Sequence, residues 1–428
     1  MPSTLADWLD HQQRVHPRAI ALGLDRVREV WRRLGAPAPA PVVVTIGGTN
    51  GKGSTVAFLE AMLAAAGKRV GAYTSPHLLR YNERVRVAGN DAGDAELIGA
   101  FERIEAVRAE IELTYFEYGT LAALWLFAQA GLDVAVLEVG LGGRLDAVNI
   151  VDADAAIVTT VDLDHQDWLG NDRGSIGREK AGIFRGGRPA IVGETDPPRS
   201  LVEHARHVGA DLRVSGRDFA VERGGDTQRW RWRGDGIALD LPMPRLAAPC
   251  QLDNAAAAIA ALHALRGRLG WNEAAIRQGL VEARIGARLQ RFGGAPELVV
   301  DVAHNPQAAR VLAEWLGGAP AAGRALAVFG ALGDKDVRGI VGALAGHVDE
   351  WLLAGLDRDS PRGLDATALR ALLPSGAMAR ATAHADVAAA LDAAFARAAA
   401  GDRVLAFGSF FVAAAALEFV ARRRLAPA

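Results

Sequence analysis

Residues 42–55 read Val42-Val43-Val44-Thr45-Ile46-Gly47-Gly48-Thr49-Asn50-Gly51-Lys52-Gly53-Ser54-Thr55. The first part is rich in β-branched residues, which is typical of a strand covered on both faces. The glycines that follow suit a turn whose backbone comes close to a ligand. A helical pattern begins at once, because the next apolar residues share one helix face, namely Val56, Leu59, Met62 and Leu63. The stretch therefore predicts a buried strand, a glycine-rich turn and a helix.

This turn has the properties of a phosphate-binding loop. Backbone N–H groups at a helix N-terminus bind anions, and Lys52 adds a positive charge. The loop sequence departs from the usual G-x-x-x-x-G-K-[ST] motif, since Ile46 stands at the first glycine position and Gly53 separates Lys52 from Ser54. The alternative is a glycine-rich turn that binds no ligand. The order of strand, loop, lysine and hydroxyls favours the phosphate site.

The composition limits the class of protein. A chain of 428 residues predicts two or three domains, and a formal net charge of −2 gives no electrostatic case for nucleic acid or an anionic membrane as partner. Cys250 is the only cysteine, which excludes an internal disulfide framework and fits the cytoplasm. The N-terminus lacks the pattern of a signal peptide, and no apolar run is long enough to span a membrane. We expect a cytoplasmic protein, and a monomer because no exposed apolar stripe is evident.

Lysine is scarce in this chain. It occurs only at positions 52, 68, 180 and 335, although Lys and Arg together number 48. Lysines that persist in such a chain can mark places where arginine would fail, because the two differ in geometry and in their ability to lose a proton. Lys68 is expected at a surface helix end. The other three lie in glycine-rich or acidic motifs.

Strand and helix patterns alternate along the chain, which predicts an α/β fold with mostly parallel sheets. In the first part we expect further strands at Arg69–Tyr73, Asp133–Gly140, Ala155–Val161 and Arg188–Val192, and helices at Asp94–Glu112, Leu121–Gln129, 251–268 and 272–283. In the second part we expect strands at Leu298–Asp301, Arg324–Phe329, Glu350–Leu353 and Arg403–Phe407. The sequence thus predicts a P-loop-type parallel-sheet domain over residues 1–285, followed by a smaller Rossmann-like α/β domain over 286–428.

Residues 228–233 break this pattern. They alternate Arg with Trp, which predicts a half-exposed antiparallel strand. Interleaved Arg and Trp also occur in nucleic-acid sites, but the net charge favours a solvated sheet.

Polar side chains cluster where the predicted strands of the first domain end. Ser75 follows one strand, Glu138 lies at the end of another, and His165 follows a third in an oxygen-rich loop. A carboxylate in a buried strand is costly unless it is paired or binds a metal, whereas His165 alone fits an ordinary capping or solvated histidine. Beside a phosphate loop, these groups suit Mg²⁺ and a triphosphate. The residues alone therefore predict an ATP-using enzyme with Mg²⁺ and a second substrate between its domains.

Several motifs carry a closer resemblance. They follow one another from about Leu5 to beyond Gly408, and include Gly48–Ser54, Ser75–Leu78, Tyr115–Thr120, Glu138–Asp146, Asp164–His165, Arg178–Phe184 and Asp301–Pro306. Together they resemble the bifunctional dihydrofolate synthase/folylpolyglutamate synthase family of the Mur ligase superfamily. The resemblance implies ATP-driven amide formation: dihydropteroate or a reduced folate forms an acyl phosphate, and the amine of L-glutamate displaces phosphate. Two Mg²⁺ ions would assist.

The resemblance also implies the site residues. The catalytic residues would be Lys52, His165 and Lys180. ATP would be bound by Thr49, Asn50, Gly51, Lys52, Gly53, Ser54, Asn254, Arg288 and Asp301. The metal ligands would be Ser54, Ser75, Glu138, His165 and Lys180. The pteroate side would be lined by Ala21, Leu22, Gly23, Leu24, Thr114, Tyr115, Phe116, Glu117, Leu145, Asp146 and Ala147. The chain departs from the family pattern at Ala21, where an acidic residue is common, and at Ala287, where a glycine-containing turn is usual.

Lys180 has a special role in similar enzymes, in which CO₂ carbamylates this lysine and turns it into an anionic metal ligand. Arginine could not do this, because it stays protonated. The alternative is a lysine that pairs with Glu179 or contacts phosphate directly. Two other functions stay open: a monofunctional folylpolyglutamate synthase or another Mur-like amide ligase, and a nucleotide-binding regulatory protein without turnover. The coincidence of Glu138, His165 and Lys180 at strand or loop ends argues against the last.

Overall fold

The structure is a computed structural model that describes residues 2–16, 20–224 and 227–428. The chain divides into two compact units. The first comprises Met1–Arg245 and Gln251–Arg284, and the second comprises Leu246–Cys250 and Ile285–Ala428. The segment Leu246–Cys250 therefore belongs to the second unit although it precedes the last helices of the first.

The first unit contains most of the secondary structure. Its helices are α1 (Leu5–Val15), α2 (Asp25–Arg33), α3 (Lys52–Ala65), α4 (Asp94–Arg108), α5 (Tyr115–Gln129), α6 (Gln166–Leu169), α7 (Arg173–Ala181), α8 (Arg199–His207), α9 (Gln251–Ala264), α10 (Arg266–Leu269) and α11 (Glu273–Glu282). Its strands are β1 (Val42–Gly47), β2 (Val70–Tyr73), β3 (Val85–Val87), β4 (Asn90–Asp91), β5 (Val134–Glu138), β6 (Ala155–Val158), β7 (Pro189–Val192), β8 (Asp211–Val214), β9 (Phe219–Arg223), β10 (Arg229–Gly234) and β11 (Ile237–Pro242). Short 3₁₀ helices span Tyr81–Arg84 and Ala147–Ile150.

The main sheet of the described first unit has the strand order β4-β3-β2-β5-β1-β6-β7-β8. All strands from β2 to β8 in this order pair in parallel, and only β3 and β4 run antiparallel. Strand β1 lies in the middle, with Ile46 opposite Glu138 on β5 and Gly47 opposite Val158 on β6. Every residue of β1 is buried. The predicted buried strand is thus confirmed, and the carboxyl ends of its neighbours meet at the same edge.

An apolar core packs helices α1, α2, α4 and α5 against strands of this sheet. Its largest buried side chains include Trp8, Tyr73, Phe101, Tyr118 and Phe127. A second core lies around strands β6 and β7 and helices α7 and α8, with Ile176, Ile183 and Phe184 among its members. These two cores lie on the same face of the sheet, because Leu137 on β5 and Ala156 on β6 are both opposite Thr45 of β1. Helices α3 and α9 pack on the other face, so the apolar strands are covered on both sides.

Strands β9, β10 and β11 form a separate antiparallel sheet. In β10 the tryptophans Trp230 and Trp232 are buried, and the arginines that alternate with them are exposed. Arg231 pairs with Asp240, and Arg233 pairs with Glu222. The predicted half-exposed strand is therefore confirmed, and these cations are matched by carboxylates of the same sheet.

The second unit is a smaller α/β sheet structure. It consists of β12 (Gln290–Phe292), β13 (Glu297–Val300), α12 (Pro306–Gly318), β14 (Ala325–Phe329), α13 (Val337–Leu344), β15 (Glu350–Ala354), α14 (Ala366–Ala371), α15 (Ser375–Met378), β16 (Ala381–His384), α16 (Val387–Arg397), β17 (Arg403–Phe407) and α17 (Phe410–Arg423). The strand order is β12-β13-β17-β14-β15-β16, in which only β12 is antiparallel. Phe329, Trp351 and Phe407 pack at its core.

Several predicted boundaries were wrong; the helix expected over Asp94–Glu112, for example, ends at Arg108. Residues 115–120 form the first turns of α5 instead of a loop before it, because Thr114 and Glu117 cap the helix reciprocally. Strand β6 ends at Val158, since Thr159 and Thr160 bond to the glycine-rich loop. The helix expected over 251–268 ends at Ala264, and a separate short helix begins at Arg266. Within the described residues, no helix is both long and apolar enough to cross a membrane.

Candidate active site

The glycine-rich loop connects β1 to α3 in the predicted way. Gly48 has φ +145°, and a Cβ there would overlap the side-chain oxygen of Thr159. Gly51 is the N-cap of α3 in the left-handed conformation, and a Cβ there would overlap the side chain of Asn254. Both positions therefore need glycine, for backbone conformation and for space.

The end of β6 fixes the shape of this loop. The backbone N–H of Thr49 donates to the Thr160 carbonyl at 2.7 Å, and the Thr49 hydroxyl donates to the Asp162 carbonyl at 3.0 Å. The backbone N–H of Asn50 donates to the Thr160 hydroxyl at 3.1 Å. Because these bonds hold the turn from outside, its geometry does not depend on α3 alone.

Lys52 lies over its own loop. Its Nζ donates to the carbonyl oxygens of Gly48, at 3.1 Å, and Thr49, at 3.3 Å. The cation is therefore held at the turn where backbone N–H groups begin α3. This is the arrangement expected of a group that meets an anion at a helix N-terminus.

Asn254 is brought to the same loop from a distant part of the chain. The Gln251 amide donates to the Ser54 hydroxyl at 3.2 Å, and the Asn254 amide donates to Gln251 Oε1 at 3.0 Å. All three side chains are buried. Sequence reasoning missed Gln251. Its place at the start of an alanine-rich helix gave no sign of a bond to a residue so far away in the chain.

Two of the predicted metal ligands lie together beside β1. Glu138 is the last residue of β5 and is only 4% exposed. Its Oε2 accepts a hydrogen bond from the backbone N–H of Ser75 at 3.2 Å. Ser75 follows β2, the next strand of the sheet, so the strand order itself places these groups side by side.

His165 and Lys180 come from the segment after β6. His165 is the N-cap of α6 with a positive φ of 52°, and its Nε2 lies 4.0 Å from the Asp164 carboxylate. Lys180 lies in the last turn of α7 and is 3% exposed. Burial, together with the charge of Lys52, lowers the pKa of Lys180 to about 7, and the charges of Asp164 and Glu194 oppose this. Lys180 is therefore within electrostatic reach of the glycine-rich loop.

The predicted donors can be tested against Mg²⁺ by their chemistry. Among the described residues no three His, Cys, Asp or Glu side chains form a metal cluster. The predicted ligand set contains only two such side chains, the Glu138 carboxylate and the His165 imidazole. It also includes the hydroxyls of Ser54 and Ser75. The buried carboxylate of Glu138, one strand away from the loop, is the hard oxygen ligand that Mg²⁺ prefers. The residues present therefore fit the ion.

The three segments predicted for the pteroate side also come together. The backbone N–H of Gly23 donates to the Leu145 carbonyl at 3.2 Å. The Arg26 guanidinium donates to both the Ala21 carbonyl and the Glu117 carboxylate. Residues 21–24, 114–117 and 145–147 therefore form one continuous surface. Sequence reasoning missed Arg26, whose partner lies 91 positions away.

The acids of this surface are engaged with the backbone. Glu117 is 3% exposed, and its second oxygen accepts from the Thr114 N–H at 2.7 Å. Asp146 accepts from the N–H groups of Leu141 and Val148, at 2.8 and 3.0 Å. Burial raises the pKa of Asp146 to about 7 although these two bonds oppose the shift. Both side chains shape the backbone of the surface.

A buried arginine contacts both His77, which follows the predicted ligand Ser75, and Tyr115 of the predicted pteroate segment. Arg84 is 8% exposed, and its guanidinium carbon lies 5.3 Å from the ring centre of Tyr81 and 5.4 Å from that of Tyr115. Its Nε donates to His77 Nδ1 at 2.9 Å. No carboxylate of the described residues forms an ion pair with it. Burial and the charge of Arg84 lower the pKa of His77 to about 4. Arg84 was not predicted, and nothing in its local sequence distinguishes it from the arginines nearby.

Arg288 and Asp301 lie in the second unit. The Asp301 carboxylate accepts from the N–H groups of Leu289 and Ala303, each at 2.7 Å. Burial raises the pKa of Asp301, and the charge of Arg288 opposes the shift. The Arg288 guanidinium lies 5.5 Å from the ring centre of Phe410. Ala287 adopts φ 54°, so an alanine takes the left-handed conformation at the predicted turn.

Comparisons with known proteins agree with this arrangement. Residues 46–262 match the Mur ligase middle domain family, and residues 287–410 match the Mur ligase glutamate ligase domain family. The chain is 48% identical to the dihydrofolate synthase/folylpolyglutamate synthase of Escherichia coli, over 99% of this chain and 97% of that protein.

Two solved structures are similar as well. E. coli FolC in complex with DHPP and ADP superposes with a TM-score of 0.93, at 47% identity over 99% of this chain and 100% of that one. A bifunctional folylpolyglutamate synthase/dihydrofolate synthase with Mn, AMPPNP and L-glutamate bound gives a TM-score of 0.89, at 47% identity over 98% of each chain. With its two α/β units, its glycine-rich loop and these matches over nearly its whole length, the chain belongs to the dihydrofolate synthase/folylpolyglutamate synthase family of Mur ligases.

Proposed function

We propose that the protein is an ATP-dependent ligase that adds L-glutamate to dihydropteroate and to reduced folates. One observation carries the proposal: the loop Gly48–Ser54, the Glu138 carboxylate and Lys180 all belong to the carboxyl edge of one parallel sheet or the segments that follow it. The ligands in the related structures, which are ADP, DHPP, AMPPNP, Mn and L-glutamate, support it.

The first residues of α3 bind the phosphates of ATP. The backbone N–H groups of residues 51–54 face the anion, since those of Thr49 and Asn50 donate to Thr160. Lys52 exchanges its two carbonyl partners for phosphate oxygens. Asn254, held against the loop through Gln251, contacts the nucleotide from α9. We also propose that Arg288 and Asp301 bind ATP, and we assign residues 1–285 to the ATP-binding domain and residues 286–428 to the C-terminal α/β domain.

The metal ligands that fit Mg²⁺ are Ser54, Ser75, Glu138 and His165, with Lys180 joining them once it is carbamylated. When bound, the ion neutralises charge that develops on the phosphate oxygens during transfer. The residues themselves hold the donors in place: the Ser75 N–H orients the Glu138 carboxylate, and the start of α6 fixes His165.

Lys180 is suited to carbamylation. Its amine is buried, and the pKa of about 7 leaves a large fraction of it neutral at physiological pH. In the reaction the neutral Nζ attacks the carbon of CO₂, an N–C bond forms, and the amine proton leaves to solvent. The product is an anion, which is the charge a second metal ion would need at this place.

The amide bond forms in two steps. The carboxylate of the pteroate or folate attacks the γ-phosphorus of ATP and releases ADP, because a free carboxylate is a poor acyl donor. The amine of L-glutamate then attacks the acyl carbon and displaces phosphate. The two substrates bring carboxylates into a site that contains Arg84, whose buried charge has no carboxylate partner among the described residues. Arg84 therefore receives a substrate carboxylate.

The pteroate ring system binds on the surface formed by residues 21–24, 114–117 and 145–147. Tyr115 and Phe116 supply aromatic faces, and the backbone around Asp146 supplies hydrogen-bonding groups. The low net charge and the matched arginines of β10 support small-molecule substrates over nucleic acid. We also assign the protein to the cytoplasm, as a monomer.

A phosphate-release assay tests the proposal. Purified protein receives ATP, Mg²⁺ and L-glutamate, with dihydropteroate in one arm and tetrahydrofolate in the other. We expect release in both arms, loss of release with Lys52→Ala, and unchanged release with the control Lys68→Ala, which lies just after α3. Release with tetrahydrofolate alone would indicate a monofunctional folylpolyglutamate synthase. Release in neither arm would contradict the proposal.

A further inference from the structure

The hydrogen bond between Arg84 and His77 has an unusual chemical character. Arginine has only N–H donors, so Nδ1 of His77 must be the acceptor and cannot carry a proton while the bond exists. The partner of this buried cation is therefore a neutral group. In most buried sites an arginine is paired with a carboxylate, which would neutralise it.

The surroundings of Arg84 repeat this pattern. Tyr81 and Tyr115 place ring faces near the guanidinium, and a ring face attracts a cation without carrying a net charge. The nearby Glu83 carboxylate is occupied elsewhere, because it accepts from the N–H groups of Leu78, Leu79 and Arg80. Among the described residues, the side chains that contact the Arg84 guanidinium are thus neutral: His77, Tyr81 and Tyr115.

His77 also has a fixed position relative to the proposed site. It follows Ser75 by two residues, and its ring packs edge-on against Tyr81 at 5.8 Å. The same Tyr81 packs against Tyr115 on the pteroate side. The imidazole is therefore braced by the aromatic group that also holds Arg84.

From this geometry we infer that His77 is a positioning residue: it orients the Arg84 guanidinium for a substrate carboxylate and leaves its positive charge uncompensated. A carboxylate at position 77 would make the same hydrogen bond and would cancel the field that attracts the substrate. This inference rests on the proposed function, since it concerns the carboxylates that the ligase brings together. Both L-glutamate and the acyl substrate carry such a group.

The test compares isosteric variants that separate the hydrogen bond from the charge. His77→Asn keeps a neutral acceptor close to the place of Nδ1, His77→Asp adds a negative charge to the same shape, and His77→Leu removes the acceptor. KM and kcat are measured for L-glutamate and for dihydropteroate separately, and the substrate whose KM changes identifies the carboxylate that Arg84 receives.

We expect the KM of one substrate to rise about tenfold or more in His77→Asp and His77→Leu, and by less than about threefold in His77→Asn, with kcat much less affected. His204→Leu, at a half-buried histidine on α8, is the control for a general loss of packing. ADP affinity and unfolding midpoint are measured for every variant, to show that each is folded.

Equal KM values for His77→Asn and His77→Asp would overturn the inference, because charge at position 77 would then be irrelevant. Unchanged KM values for both substrates in His77→Leu would overturn it as well. Failure of the proposed function is distinct, since it would appear as absent turnover in the wild-type protein.

Discussion

One guanidinium nitrogen of Arg26 donates to the Glu117 carboxylate at 3.0 Å and to the Ala21 carbonyl at 2.8 Å. The pair connects the turn before α2 with the start of α5, two segments that belong to the proposed pteroate surface. Glu117 also caps α5 through the Thr114 N–H, so a single carboxylate fixes both the helix start and the loop that faces it.

Removing Arg26 should therefore disturb acceptor binding. In Arg26→Ala the buried Glu117 charge loses the only cationic partner that it has among the described residues, and we expect the unfolding free energy to fall by about 1–3 kcal/mol. The KM for dihydropteroate should rise, and ADP affinity, measured by calorimetry, should stay unchanged. Arg28→Ala on the exposed face of the same helix is the matched control. Equal KM values in the two variants would contradict this role.

Gly48 offers a test of the loop. Gly48→Ala places a Cβ against Thr159 in a left-handed backbone, whereas Gly67→Ala, at φ +77° after α3, meets nothing within 4 Å. The control should lose about 1–2 kcal/mol of unfolding free energy through backbone strain alone. Gly48→Ala should lose about 1–3 kcal/mol more through overpacking. ADP binding should disappear only in Gly48→Ala, and its retention there would show that the loop tolerates displacement.

Asp146 should leave a signature in the pH dependence of stability. Burial raises its pKa from 3.8 to about 7, so the folded state holds a proton that the unfolded state has already lost. The contribution of protonated Asp146 to the unfolding free energy is fully present below about pH 4 and decreases as the pH rises towards 7. Its slope in that range is at most about −1.4 kcal/mol per pH unit, and above pH 7 it changes little.

Chemical denaturation between pH 4 and 7 measures this slope. In Asp146→Asn the slope should become less negative by up to about 1.4 kcal/mol per pH unit. Glu194, whose pKa burial also raises to about 7, is present in both proteins, so the difference isolates Asp146. Asp10→Asn, at an exposed site on α1, should leave the slope as it is. An identical slope in Asp146→Asn and wild type would refute the assignment.

Lys180 can be tested by chemical rescue. Lys180→Ala should lower the turnover at least about a hundredfold, since a charge that acts during phosphoryl transfer is removed. Short carboxylic acids should restore activity to Lys180→Ala. Lys180→Arg should stay inactive when they are added, because arginine still fills the space.

A direct readout accompanies the rescue. Wild-type protein in ¹³C-labelled bicarbonate should give a carbamate signal in NMR that Lys180→Ala lacks and that the control Lys68→Ala keeps. A Lys180→Ala variant with full activity would exclude the carbamate.

Much of the first unit could be predicted because its signals are local. The β-branched run of β1, the glycines after it and the apolar face of α3 lie next to one another in sequence. Polar residues mark the ends of the strands. Glu138 and Ser75 could be placed near the loop for the same reason, since parallel strands deliver their carboxyl ends to one edge. The capping box of α5 was also readable from Thr114 and Glu117, although they were assigned to a preceding loop.

The contacts that complete the site could not be predicted. Gln251 reaches Ser54, and Arg26 reaches Glu117, across separations of 197 and 91 residues. No periodicity specifies such pairs, because they depend on how helices pack on the sheet. Arg84 could not be identified from the sequence either. Other arginines, Arg80 and Arg86, lie close to it in the chain, and Arg84 differs from them by its burial beside two tyrosines.

The place of β1 in the strand order has a consequence for dynamics. Strands at the edge of a sheet open by local fluctuations, whereas a central strand exchanges its amide protons only when larger parts of the protein unfold. Because β1 is flanked by β5 and β6 and buried along its whole length, its amides should be among the slowest to exchange. The residues proposed to bind ATP are thereby attached to the most persistent part of the fold, and the edge strands can fray without moving them.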